Sequence, residues 1–371
     1  MSELNQPIPM LDLSDQFQAL ETEWLAAIRD TGGRGSFILG PNVSAFEKEI
    51  AEYVGVSDAV GVANGTDALL LSLRALDIGP GDEVITTPFS FFATAEVITL
   101  AGATPVFVDI DESSFNMDVA QVADRITSRT RAILPVHIFG YPMPMAELMA
   151  LAQERGLGVV EDCAQAFGAS DGSRRVGGIG DTGCFSFYPT KVLGGYGDGG
   201  MITTNNSGLA ASLRQLRNHG ANAPFMHDRI GYNSRLDEIQ AALLRIKLRG
   251  MDDILAGRKR VADGYDRGLA GLDLQIPQRP DSSQHAFNLY TLRSPQRDRI
   301  RRGLMDAQIG SAICYPLGLH LQAVYKELNY RPGDLPVCEG LSGQVLSLPI
   351  FPEMSDAQVE RVCQVIGDSL G

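Results

Sequence analysis

Lysine is scarce in this chain: five residues of 371, within a basic total of 31. The 45 acidic residues outnumber the basic ones and leave a formal net charge of −14. That balance argues against nucleic acid or an anionic membrane as the main partner. It leaves room for a small anionic substrate, which needs only a few well-placed arginines. No apolar run approaches the length of a membrane span, and the opening MSELNQPIPM lacks the basic-then-apolar order of a signal segment. Cysteine is sparse, odd in number and without a C-x-x-C pair: Cys163, Cys184, Cys314, Cys338 and Cys363. A reducing, cytoplasmic setting is expected, and no metal site. There is no internal repeat and no low-complexity segment.

What is present reads as an ordinary soluble chain, 44% hydrophobic and 20% charged, long enough for two domains. From about residue 59 to 161, short apolar runs rich in Val and Ile alternate with helical patterns. Examples are Ala59–Val62, Glu83–Thr87, Pro105–Val108, Ala132–Val136 and Gly158–Glu161, with helices expected over Thr66–Leu76, Ala93–Leu100, 118–125 and 145–155. This alternation predicts βαβ units and an α/β fold with a mainly parallel sheet between helices. Beyond Asn205 the texture becomes helical, then mixed, with strands expected at Ala286–Leu292 and near Ile313 and Leu346. A large α/β domain over 1–250 and a smaller α+β domain over 251–371 follow, and the N-terminal helix could pack on the smaller one.

Four of the lysines lie in helix-like runs. The fifth, Lys191, follows the alternating run Cys184–Tyr188 and precedes a loop with five glycines between Gly194 and Gly200. A lysine between a buried strand and a glycine loop is placed to be desolvated, which lowers its pKa and makes the amine a nucleophile. The same position also suits a plain turn lysine. The segment Gly195–Gly200 matches G-x-G-x-x-G, but a strand-like run, Met201–Thr204, follows it instead of a helix, so the dinucleotide reading fails. A phosphate P-loop would need the lysine after the glycines.

Other positions suit a phosphate and a heteroaromatic ring. Gly65-Thr66-Asp67 stands at a strand-to-helix turn, where free N–H groups and the Thr66 hydroxyl suit an anion; the turn equally suits a simple helix cap. The acidic pair Glu161-Asp162 ends an apolar strand, the place where α/β proteins set ligand groups, and an acid there could hold a proton on a pyridine nitrogen. Phe91 could lie on a ring or belong to the core. Ser186, shortly before the lysine, could donate to phosphate.

In chain order, a phosphate turn, an aromatic, an acid after a strand, a serine and a lysine resemble the pyridoxal-phosphate enzymes of the aspartate aminotransferase fold. More narrowly, the chain resembles the DegT/DnrJ nucleotide-sugar aminotransferases, through GPNVSAFEKEIA, NGTDAL, GDEVITTPFSFFATA, PVHIFG, VVEDCAQAFGA, FSFYPTK, GDGG, GYNSRLDEIQAA and YPLGLHLQ. The likeness runs from about Leu11 to the C-terminus. It implies pyridoxal 5′-phosphate in Schiff-base linkage to Lys191, which then shuttles the proton, with Asp162 on the pyridinium nitrogen. Gln165 would approach the ring hydroxyl and Phe91 would stack on the ring. Gly65, Thr66, Asp67 (through its backbone) and Ser186 would hold the phosphate. It further implies a homodimer whose Asn233 reaches the neighbour's phosphate, with Arg235, Tyr315 and His320 lining the sugar-nucleotide site. Many members carry His where this chain has Cys314, which puts that sugar contact in question.

The implied activity is amine transfer, with glutamate the family's usual donor, onto a keto-sugar of a nucleotide sugar. A sugar dehydratase of the same family carries His in place of the lysine, so Lys191 opposes it. A catalytically silent sensor is opposed by the joint presence of Lys191 and Asp162. The form of the glycine loop and Ser234 resemble members acting at C3, nearest to those using UDP-2-acetamido-2-deoxy-3-oxo-glucuronate. Members acting at C4 more often have an aromatic residue at 234.

Overall fold

The computed structural model describes residues 6–280 and 282–371. Its centre is one seven-stranded sheet: β1 (Asp58–Val62), β2 (Glu83–Thr86), β3 (Thr104–Phe107), β4 (Thr130–Leu134), β5 (Gly158–Asp162), β8 (Thr182–Ser186) and β9 (Gly200–Thr204). The hairpin β6 (Ser170–Asp171) and β7 (Arg174–Arg175) lies between β5 and β8 in the chain. The spatial order is β1-β9-β8-β5-β4-β2-β3. Pairing is parallel from β3 through β2, β4 and β5 to β8, while β9 runs antiparallel to both β8 and β1. The expected α/β fold with a mainly parallel sheet is what forms.

Side chains alternate across this sheet, so neighbours in one strand join different cores. Val84, Leu134, Val160, Cys184 and Ile202 pack on one face, with α3 (Gly65–Ala75) and α4 (Ala93–Leu100). Ile85, Ile133 and Val159 face the other side, with α5 (Met145–Arg155); Phe185 and Met201 face it too, with α2 (Pro41–Val54) and α7 (Glu238–Leu248). With both faces covered, the strands read as continuous apolar runs instead of alternating ones. α1 (Ser14–Arg34) runs through Gly32 and Gly33 and stops at Gly35, which takes the left-handed conformation at φ 66°. It packs against α7.

A third core joins α8 (Met251–Gly268), α9 (Arg297–Asp306) and α11 (Asp356–Leu370) to the ribbon of β12 (Tyr290–Arg293) and β13 (Val345–Leu348). Ile8 near the N-terminus is buried in it and bridges to Ile309. We propose the division near residue 250 on the strength of this separate core, although Leu319, Tyr325, Leu335 and Cys338, the last from α10 (Pro336–Ser342), pack with α3 and α4. Three local expectations change, and one hairpin is added. Residues 118–125 form two 3-10 turns, where the Asp118 side chain bonds Ala120 N–H and draws the chain away from α-helix. The strand expected from Ala286 begins only at Tyr290, and near Ile313 there is a single bridge, Ala312 to Ser347. A hairpin of β10 (Ala221–Ala223) and β11 (Met226–His227) follows α6 (Ser207–Leu216). No helix among the described residues is long and apolar enough to cross a membrane.

Candidate active site

The turn from β1 into α3 is drawn tight against the end of β8. Asn64 caps the helix, its side chain accepting the Asp67 N–H at 2.8 Å. That engages the Asp67 backbone group expected at a phosphate. The N–H groups of Gly65 and Thr66 have no partner among the described residues. A Cβ on Gly65 would stand 2.7 Å from the Ser186 Cβ and 3.2 Å from its Cα, so only glycine lets the turn approach that serine. Gly200 likewise passes within 2.3 Å, measured from an ideal Cβ, of the Asn64 carbonyl. The result is a cradle of two backbone donors and the Ser186 hydroxyl at a helix N-terminus, suited to a phosphate dianion.

Strand alternation separates the two acids ending β5. Glu161 points to the side of Val159 and is fully buried. It accepts N–H groups from Gly177 at 2.9 Å, Ile179 at 2.8 Å and Gly180 at 2.7 Å, and faces His137 Nε2 at 3.1 Å. His137 Nδ1 accepts the Met143 N–H, so its proton sits on Nε2 and is given to Glu161. Burial opposes ionisation of Glu161, but these bonds win and hold it below the ordinary carboxylate range. Cys163 brings a third metal-ligand type of atom to this pair. The histidine nitrogens and both Glu161 oxygens are already committed, and burial pushes the Cys163 thiol well up, so the cluster is a hydrogen-bonded lock on residues 177–180.

Asp162 points the other way, toward α3 and α4. Its Oδ1 accepts the Ala164 N–H at 3.1 Å and its Oδ2 the Thr94 hydroxyl at 2.8 Å. Burial raises its pKa, opposed by Thr94, Ala164 and the Lys191 ammonium. Lys191 follows β8 in a turn, its N–H on the Tyr188 carbonyl at 2.8 Å. The loop beyond is pinned from α7: Gln240 Oε1 accepts the Tyr196 N–H, and Lys247 Nζ bonds the Gly194 carbonyl. Burial lowers the Lys191 pKa, with Asp162 and Cys314 pulling it back. The residue as a whole is half-buried.

Gln165 joins this group through Tyr315. Its Oε1 accepts the Phe139 N–H and its Nε2 donates to the Tyr315 hydroxyl, both at 3.0 Å. Phe91 stands just before α4 and is 60% exposed, which removes it from the core. Its carbonyl accepts the Thr94 N–H, on the helix turn that touches Asp162. Asn233 is exposed and accepts from Arg235, whose guanidinium also bonds Asn218. Ser234 between them is fully buried and accepts the Ala63 N–H at 3.1 Å, fixing the start of the phosphate turn. His320 is the exception. Its side chain has no exposed surface, packs on Phe107 and Tyr330, and bonds Glu339 at 3.2 Å. It does not line an open cleft, because the 3-10 turn that carries it is buried against β3. Sequence reading missed Thr94, whose only signal is its place in PFSFFATA, one turn from Phe91.

A model of the DegT/DnrJ/EryC1/StrS aminotransferase family matches residues 18–367. The chain belongs to this family. It is 47% identical over 366 residues to the UDP-N-acetyl-3-dehydro-alpha-D-glucosamine 3-aminotransferase of Acidithiobacillus ferrooxidans, covering 99% of each. It is 38% identical over 359 residues to the UDP-2-acetamido-2-deoxy-3-oxo-D-glucuronate aminotransferase of Pseudomonas aeruginosa, covering 97% of this chain and 99% of the relative. Among solved structures, S. venezuelae DesV in complex with a ketimine intermediate superposes with a TM-score of 0.95 at 42% identity, over 98% of each chain. The chain is thus a nucleotide-sugar aminotransferase, and its cofactor is pyridoxal 5′-phosphate. The aminotransferase has the donor set that cofactor needs: an anion cradle at Gly65, Thr66 and Ser186, a carboxylate at Asp162, and a desolvated amine at Lys191.

Proposed function

We propose that this aminotransferase installs nitrogen at C3 of a UDP-linked 2-acetamido-3-oxo sugar, with glutamate as donor. The observation that carries the reading is the end-to-end 47% identity to the Acidithiobacillus 3-aminotransferase. The 38% relative acts on the corresponding 3-oxo-glucuronate, which makes C3 common to both and leaves the group at C6 as the difference between them. Ser234 supports the same reading: members acting at C4 more often have an aromatic residue there, and here a small, fully buried serine uses its hydroxyl to accept the Ala63 N–H.

When bound, the cofactor supplies an electron sink that makes the C–H bond beside an amine acidic. The rest is done by this chain. Gly65 and Thr66 N–H groups and the Ser186 hydroxyl would take the phosphate. Asp162 would hold a proton at the ring nitrogen. Gln165 Nε2 carries a second hydrogen, beyond the one given to Tyr315, to offer the ring hydroxyl. Lys191 Nζ would anchor the cofactor and then move a proton to and from the reacting carbon, a task eased by the burial that weakens its hold on that proton. Phe91 presents an exposed ring beside this group. Arg235 and Tyr315 are the polar groups proposed for the sugar nucleotide.

The working unit is proposed to be a homodimer in which Asn233 serves the neighbouring site. Supporting it, Asn233 is exposed and close in the chain to exposed apolar residues, Phe225 at 95% in the hairpin and Ile230 at 93% just beyond it, surface that a second copy would cover. All five cysteines are free, which fits a reducing, cytoplasmic setting. The direct test runs the reaction backwards: purified enzyme, 2-oxoglutarate and a panel of amino-sugar nucleotides. Glutamate should form with UDP-2-acetamido-3-amino sugars. Turnover confined to 4-amino sugars would overturn the C3 assignment.

A further inference from the structure

Asp162 is nearly enclosed, and burial by itself favours its neutral form. A carboxylate that must stay charged in such a place needs donors aimed at it. One comes from the backbone, the Ala164 N–H on Oδ1. The other is the hydroxyl of Thr94 in the first turn of α4, 2.8 Å from Oδ2. A hydroxyl has a single proton, and an anionic oxygen can only accept, so Thr94 must spend that proton on Asp162. Its oxygen is then left to accept, and the Ser90 hydroxyl lies 2.7 Å away to donate. Ser90 and Thr94 are 2% and 1% exposed. Direction therefore propagates along a short dry chain: Ser90 gives to Thr94, and Thr94 gives to Asp162.

We propose that Thr94, oriented by Ser90, is a positioning residue that fixes the Asp162 carboxylate as an anion turned toward the ring nitrogen of the bound cofactor. The inference rests on the reading that Asp162 takes that nitrogen. Hydrogen bonds to charged groups are the strong ones in proteins, and this one acts on the group that keeps the ring protonated. Thr94 itself touches no reacting atom. Replacing its hydroxyl by a methyl of the same shape, as in Thr94→Val, keeps the packing and deletes only the donor.

Holoenzyme reconstituted with ring-15N pyridoxal 5′-phosphate separates a hydroxyl effect from a packing effect. In Thr94→Val the ring resonance should move from the pyridinium position toward neutral pyridine. The apoenzyme's affinity for cofactor should fall about tenfold, and kcat roughly tenfold to a hundredfold with little change in KM for the sugar, the scale of one charge-assisted hydrogen bond. Thr94→Ser should recover all three to within about threefold, and Ser90→Ala should give a smaller shift in the same direction. A Thr94→Val holoenzyme with wild-type resonance and kcat overturns the proposal. A loss that Thr94→Ser does not recover also overturns it, since the cause would then be the lost methyl packing. Should Thr94→Val fail to fold, Ser90→Ala decides on the same resonance. Asp162→Asn is the control: if the ring stays protonated there, the reading beneath has failed, whereas a collapsed Asp162→Asn beside an unchanged Thr94→Val sinks this inference alone.

Discussion

At Asp162, burial favours the uncharged carboxyl while Thr94, Ala164 and Lys191 favour the anion, and burial prevails in the protein alone. Its folded pKa is therefore above the ordinary 3.8. A raised folded value means that the group's contribution is fully present below the unfolded pKa and is lost as pH rises through the folded one. Asp162→Asn does not titrate and escapes that loss. Thermal melts of the two apoproteins should favour the variant more at pH 7.5 than near pH 4, since the other titrating groups are common to both. A gap that stays constant between these pH values would show that Asp162 carries no such burden. In the holoenzyme the same substitution should retain cofactor yet cut turnover severely, because an amide cannot hold the ring proton.

On β5, one residue of displacement changes a side chain's whole environment, because neighbours face opposite sides of the sheet. Asp162 looks to the cleft, and Glu161 looks to the segment Gly177–Gly180 and ties it to His137. Glu161→Gln would set an amide NH2 against N–H donors that now meet a carboxylate. Urea unfolding should show a loss of about 2–4 kcal/mol, the cost of leaving buried partners of a charged group unsatisfied. Turnover per folded molecule should change far less. Unaltered stability with abolished turnover in Glu161→Gln, and harmless Asp162→Asn, would mean that the roles of the two acids are exchanged.

The proposed dimer is tested by complementation. Lys191→Ala should fold normally and be inactive, since it removes the anchoring amine and little core volume. For the second lesion Asn233→Leu is preferable to an aspartate, because Arg235 already lies on the Asn233 side chain and would neutralise a carboxylate. Each variant homodimer should be nearly inactive. If Asn233 serves the neighbouring site, a mixed dimer has one site with both lesions and one with neither. Random exchange of equal amounts should then restore up to about a quarter of wild-type activity. No recovery despite demonstrated subunit exchange would place Asn233 within its own chain's site.

The parallel α/β architecture was legible in the sequence because apolar strands buried on both faces and helices with one apolar stripe leave strong periodic patterns. Lys191 was legible in part for a local reason, its place between a strand and a glycine loop, and singled out from a plain turn lysine only by the order of the motifs around it. The sequence determined as well that Glu161 and Asp162 close a strand together. Which of the two faces the lysine was decided only by the fold, through the alternation of β5 and the loop 177–180 that claims Glu161. The same is true of Asp67, whose N–H is taken by Asn64, and of His320, drawn under Phe107 and Tyr330. Thr94 and Asp162 lie 68 residues apart in the chain, and their bond exists only because the first turn of α4 is packed against the end of β5. Hydrogen-bond partnership depends on distance and direction between segments, and periodicity along one segment carries neither.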